Sequence, residues 1–541
     1  MKKLARRSHI GALLGLSLLS FAACQTPAPV VPPPPDPPPE PGATQEAPKE
    51  AAAPPPEDPS FRKTPPQAGA DMPFLAPKID EARLSNGVRV LYVLRREMPV
   101  VAVNIVVNRG AEEERSPGLT STMAAMMLSG TKLRSAIKLS EELGALGARY
   151  GAWADHDGVA LSAQALREKT PELFEILADV VLHPAFDPAE LERERARRLT
   201  SILQQADQPG ALLQNAITER LYPAGHPYRE PLIGTEASVK AMKPADLARQ
   251  HAALFRPEHT TVTIAGDIDK AAAIALVEKS FGTWTGKGTQ AKAPADPPAV
   301  GKGEKRVFLV DRPGATQSYV AVTLAGVPRK NPDFDALMVM NTLLGGQFTS
   351  RLNLNLREKH AYTYGARSGF DMRHGPGPFT AGGAIMTPAT AKAVKEIFAE
   401  IERLRKEAVP AEDLADAKAN LVRQLPARFE TAGETAGTLA SLSIQGLPLD
   451  ELATRPSRIS KITAEDVKRV AEKYLRPDLM RVIVVGDAAV VEKELAALDL
   501  GGVEVRKAPA KKDAKPEPKK EATKGAPVGP TGRPKVNLGK R

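Results

Sequence analysis

Phe255-Arg-Pro-Glu258 runs through Thr261-Val-Thr-Ile264 to Ala265-Gly-Asp267, and 220 residues later the pattern returns. There Leu475-Arg-Pro-Asp478 leads through a valine-rich segment to Val485-Gly-Asp487. Arg256 and Arg476, Gly266 and Gly486, and upstream Asp246 and Asp466 all keep this offset. One shared dipeptide would be chance, but three points in one register are a repeat. Solenoid arrays repeat every 20–50 residues or so, so a period this long marks a duplicated domain.

Outward from the repeat, the two halves show one pattern. In the first, Asn86-Gly87 signals a tight turn into an alternating strand ending near Val93. Val100–Val107 and Val159–Leu166 read as strands, and 118–131, Pro171–Leu182 and Pro188–Ala206 as helices. In the second, Arg306–Val310, Tyr319–Leu324 and Thr380–Ile385 read as strands. Asp335–Leu344, Ala391–Arg405 and Ala411–Arg423 read as helices. Strand runs followed by helix runs predict an α+β fold: two duplicated domains, each an antiparallel sheet with helices packed on one face. The expected bounds are 76–290 and 305–500, joined by a Gly/Lys/Pro/Ala-rich linker at 291–304.

The ends differ from this body in composition. Lys2, Lys3, Arg6 and Arg7 precede an apolar run from Ile10 to Leu19 and then Ser20-Phe-Ala-Ala-Cys24. A basic start, a short apolar run and small residues read as a signal peptide over 1–23 rather than a membrane-spanning helix. Cys24 is the chain's one cysteine, so it forms no internal disulfide. In this setting it resembles the acylated cysteine of a bacterial lipoprotein, although Phe21 stands where the lipobox usually has leucine. Gln25 after it, by the same resemblance, implies an outer-membrane lipoprotein facing the periplasm. Residues 24–75 are rich in proline, alanine and glutamate and read as a disordered tether, at ~3.1 Å per residue where extended. Residues 501–541 read as a basic disordered tail. From Arg506 on, twelve Lys/Arg face three Asp/Glu, a net +9 of the chain's +10. The body is therefore close to neutral, and the tail's lack of interleaved aromatic residues argues against a nucleic-acid partner.

Gly118-Leu-Thr-Ser-Thr-Met-Ala-Ala-Met-Met-Leu-Ser-Gly-Thr131 resembles the signature helix of the pitrilysin/insulinase family of zinc peptidases, roughly G-x-A-H-x-x-E-H-x-x-F-x-G-T. In that inverted zincin motif two histidines bind zinc and the glutamate is the general base. Here those positions hold Ser121, Ala125 and, for the base, Ala124. The family's third zinc ligand lies 76 residues on, in Glu192-Arg-Glu-Arg-Ala-Arg-Arg-Leu-Thr-Ser-Ile202, and falls on Ser201. Neither alanine nor serine is a zinc ligand of this kind, and alanine takes no proton from water. The expectation is that this chain binds no cofactor of its own. Gly225-His-Pro-Tyr-Arg-Glu-Pro-Leu-Ile-Gly234 resembles a further family element, in which His226 reads as a structural loop residue. No two histidines stand at i,i+3 or i,i+4, so the sequence offers no helix-borne replacement site.

Leu344-Gly-Gly-Gln-Phe-Thr-Ser-Arg-Leu352 and Leu356-Arg-Glu-Lys-His-Ala-Tyr-Thr-Tyr-Gly365 resemble the family's second-domain block. By that resemblance Arg357 and Tyr364 are the arginine and tyrosine that face a zinc site across a cavity. Tyrosine can donate to a developing oxyanion, and arginine can fork onto a substrate carbonyl or carboxylate. The blander reading pairs Arg357 with Glu358 and packs Tyr364 in a strand. A chain with the arginine–tyrosine half and no zinc half resembles one subunit of a heterodimeric peptidase. That implies a zinc-bearing pitrilysin-like partner, peptide substrates and no activity alone. A non-catalytic scaffold or peptide-binding protein is the alternative; a stand-alone hydrolase lacks any recognisable nucleophile motif.

Overall fold

The computed structural model describes residues 73–286 and 305–508. Cys24, the signal peptide, nearly all of the tether, the linker and most of the tail lie outside them. Strands β1 (Asp80–Arg83), β2 (Arg89–Leu94), β3 (Val100–Val107), β4 (Arg149–Ala154), β5 (Val159–Leu166) and β6 (Thr260–Gly266) form one sheet in the order β1-β2-β6-β3-β5-β4. The second contains β7 (Val307–Asp311), β8 (Gln317–Ala325), β9 (Thr363–Phe370), β10 (Pro378–Met386), β11 (Arg481–Gly486) and β12 (Val503–Lys507), ordered β12-β7-β11-β8-β10-β9. The α+β duplication stands. The offset seen in the sequence joins β6 to β11 and the helix Pro244–Leu254 to the helix Ala464–Tyr474.

The sheets are mixed rather than antiparallel throughout. The returning repeat strand inserts beside the first long strand of its half, so β2 and β6 run parallel, as do β7 and β11. β12 also runs parallel to β7. That edge strand corrects the expected tail boundary at 501: Glu504 pairs with Arg220 and Arg506 with Glu219. At the conserved register of the repeat, a side chain on Gly266 would meet the Val100 carbonyl oxygen at 2.3 Å. The glycine thus lets β6 close on β3.

One face of each sheet carries its own half's helices over a large apolar core. The other face is covered by a helix lent from the opposite half. Pro209–Leu221 lays Leu212, Ala216, Ile217 and Leu221 on Phe308, Val310, Tyr319 and Ile483 of the second sheet. Ala432–Ile444 lays Ala432, Ala436 and Leu439 on Leu91, Val93, Ala102 and Ala265 of the first. Hence β3 is buried along nearly its whole length instead of on alternate residues. Burying both faces removes apolar area from water at about 25 cal/mol per Å², and the exchange makes each half depend on the other.

Candidate functional site

The degenerate motif sits on the helix Leu119–Met127. Its Gly118 has φ +81°, and a side chain there would meet the Gly234 Cα at 2.6 Å, so the 231–234 loop presses against the helix start. The Glu114 carboxylate accepts hydrogen bonds from the Gly118 and Thr120 amides at 2.9 and 2.8 Å. Acceptors at a helix N-terminus satisfy otherwise orphaned donors. Burial nevertheless pushes Glu114 up to about 7, against those hydrogen bonds.

Where the family's first histidine would stand, Ser121 donates to the Leu232 carbonyl and accepts from Arg198 Nη1 at 3.0 Å. Arg198 also donates to the Ile233 carbonyl at 3.2 Å and pairs through Nε with Glu194 at 2.7 Å. Both Arg198 and Glu194 are buried. A guanidinium thus brings fixed positive charge onto the position of one metal ligand. Ala124 is fully buried in the first core, while Ala125 and Ser201 are half-buried. Arg198 is not among the residues that the family motif singles out. The signal was available: it stands three residues before Ser201, one turn away on the same helix.

Arg357 and Tyr364 sit elsewhere, in the second half. The helix Phe334–Asn341 runs on into a π-helical turn, Thr342–Gly346, and another, Leu354–Lys359, carries Arg357. Gly345 makes this packing possible, because a side chain there would meet the Ser368 amide of β9 at 2.2 Å. Asn353 joins the two elements, accepting from the Ala366 amide and donating to the Phe348 carbonyl. Arg357 does pair with Glu358, at 3.3 Å, and its guanidinium lies 4.7 Å from the Phe348 ring centroid. Tyr364 lies in β9, but it is 91% exposed and not packed. Phe348 and Leu354 are exposed beside this segment. Among the described residues no hydrogen bond or ion pair links Arg357 or Tyr364 to the motif helix. His226 stacks on Tyr222 and accepts from the Tyr228 amide through Nδ1, as a loop residue does.

The insulinase (peptidase family M16) profile matches residues 89–236, and the peptidase M16 inactive-domain profile matches 241–421. The chain belongs to the M16 family. An uncharacterized zinc protease of Mycobacterium tuberculosis is 25% identical over 403 residues, 74% of this chain and 91% of that protein. The mitochondrial cytochrome b-c1 complex subunit 1 of Bos taurus is 24% identical over 274 residues, 50% of this chain and 56% of that protein. Among solved structures, the M16 inactive domain from Pseudomonas fluorescens superposes with TM-score 0.70 and 25% identity, covering 76% of this chain and 98% of that one. The first half of the periplasmic protease PqqL from Escherichia coli shares the fold at TM-score 0.64 and 17% identity, covering 78% and 96%.

Proposed function

We propose that this M16 chain is a catalytically incomplete subunit of a heterodimeric zinc peptidase. Its second half supplies Arg357 and Tyr364 to a zinc-bearing M16 partner that cleaves peptides in the periplasm. The observation that carries the reading is Tyr364. A tyrosine with nine-tenths of its surface in water, in the same sequence block as exposed Phe348 and Leu354, presents a hydrogen-bond donor to another molecule rather than to its own fold. The first half supports the same reading from the other side, because Ser121 is engaged by Arg198 where a metal ligand would be needed. In this reading the catalytic zinc belongs to the partner. The bovine relative's name is that of a subunit of a larger complex, which agrees with a role in assembly and equally favours a scaffold as the second reading.

The direct test is to purify the tagged chain from its own membranes and identify what comes with it. A second M16 chain with an intact H-x-x-E-H is the expected companion, and the pair cleaves peptides while this chain alone does not. Recovery of this chain without any M16 partner, or peptide cleavage by the chain alone, overturns the reading.

We further propose that Cys24 is acylated after signal cleavage and holds the protein on the outer membrane. A multiply acylated cysteine binds firmly, whereas a single chain binds weakly. Cys24→Ser is expected to shift the protein from the membrane fraction to the soluble periplasm. Unchanged sedimentation with membranes would count against anchoring.

A further inference from the structure

A buried polar cluster stands where the two halves meet. Glu112 lies in the short turn after β3 and Asp157 in the β4–β5 hairpin; His374 comes from the β9–β10 hairpin of the other half. His374 Nδ1 is 2.9 Å from Glu112 Oε1 and 3.7 Å from Asp157 Oδ1. One donor atom from each of the three residues lies within 4.8 Å of the others. The His374 amide donates to both Asp157 oxygens, at 3.1 and 3.0 Å, and Gln445 Nε2 donates to Oδ2 at 2.8 Å. His374 Nε2 is 2.8 Å from the Ile444 carbonyl oxygen, which can only accept, so Nε2 carries a proton and Nδ1 faces the carboxylates.

One polar atom of this cluster is left without a partner. The Glu112 side chain is 3% exposed, yet its Oε2 has no hydrogen-bond partner. Buried polar atoms are nearly always paired, so an orphan carboxylate oxygen asks for an explanation. Asp155, on the same hairpin as Asp157, adds a third carboxylate; Arg373, paired with Asp371, also acts on Asp155 through its charge. Tyr228 accepts from the Gly375 amide, and the buried His156 stands edge-on to its ring.

We infer that Glu112, Asp157 and His374 form a site for a divalent transition-metal ion of the zinc class, which clasps the two halves of the chain together. Imidazole and carboxylate are the nitrogen and oxygen donors zinc takes, at about 2.0–2.2 Å. Tetrahedral ligands at that range sit about 3.3 Å apart, and the observed 2.9 and 3.7 Å bracket this. Ligating histidines typically donate their other ring N–H to a carbonyl or carboxylate, as Nε2 does to Ile444. The site shares no residue with the degenerate motif. Its role is structural, since three protein ligands from two halves stabilise the folded state by the free energy of ion binding.

A proton on Nδ1 is the competing occupant. Burial opposes it, but the Glu112 hydrogen bond and the Asp157 charge push His374 up to about 9. Chelator-dialysed full-length chain titrated with zinc alone separates the two. The expected result is one zinc per chain and a raised Tm in the wild type and in the control Ser121→Ala. Glu112→Gln and His374→Gln, each shown folded by circular dichroism, should weaken zinc binding at least tenfold or so. Should either variant fail to fold, the wild type still decides. Cobalt bound to it in place of zinc should give visible bands of a low-coordinate site, lost on adding zinc. A wild type that holds no zinc, or variants that hold it equally well, would overturn the inference and leave the proton as the clasp.

Discussion

In a reconstituted pair, Tyr364→Phe is expected to lower the partner's turnover by about 10²–10³ while leaving the complex intact, the effect typical of losing one oxyanion donor. The substitution removes only a hydroxyl from a side chain that is 91% exposed in this chain, so it has no fold to disturb. A donor that acts only on the transition state lowers kcat and kcat/KM together. Arg357→Ala should act differently. Its guanidinium rests over Phe348 and touches Glu358, both at the surface, so truncation costs little stability. Losing a charged contact to bound peptide raises KM. Steady-state kinetics on both variants, with pull-down as the check on assembly, separate the readings. If activity ignores both substitutions while the complex persists, the scaffold reading alone survives.

Much of this fold was legible because its elements carry their own periodicity. β3, β5 and the helices Pro188–Ala206 and Ala411–Arg423 coincide with the spans predicted from apolar spacing. Of the hairpin strands, β4 was not predicted, and β9 entered only through the blander reading of Tyr364 as a strand residue. Arg149-Tyr-Gly-Ala-Trp-Ala154 and Thr363-Tyr-Gly-Ala-Arg-Ser-Gly-Phe370 are glycine-bearing and mostly half-exposed, so they are strands by virtue of pairing with β5 and β10 rather than by propensity. The two lent helices were missed for a related reason. Their identity as covers for the opposite sheet is a tertiary fact, although the uninterrupted apolar run of β3 was a local hint that both of its faces are buried. Within the candidate site, the substituted ligands could be read directly, whereas their replacement by Arg198 needed the packing of two helices. The Glu112–Asp157–His374 cluster had no sequence signal at all, since 45 and 217 residues separate its members.

Glu194→Ala should lower the free energy of unfolding by about 3–5 kcal/mol, the cost of leaving a buried charge without its partner. Arg198 would keep hydrogen bonds to the uncharged Ser121 hydroxyl and Ile233 carbonyl and only the weaker charge interaction with Glu114. Glu194 also meets the exposed Arg197, so Arg198→Met strands its carboxylate less completely and should cost less. The combined Arg198→Met/Glu194→Leu change tests the interpretation. Replacing both members of a buried pair by apolar groups of similar volume is often neutral or stabilising. Non-additivity of that size is expected only for residues in contact. Denaturant melts read the outcome as a shift in midpoint at constant slope. A Glu194→Ala loss below about 1 kcal/mol would place the pair among ordinary surface ion pairs, and a double variant as damaged as the single one would show packing, not charge, to be at stake. The expected pattern has a consequence for the family resemblance. Histidines restored at Ser121 and Ala125, with glutamates at Ala124 and Ser201, should recruit no zinc beyond what the wild-type chain holds while Arg198 remains, because its guanidinium occupies the Ser121 position with fixed positive charge.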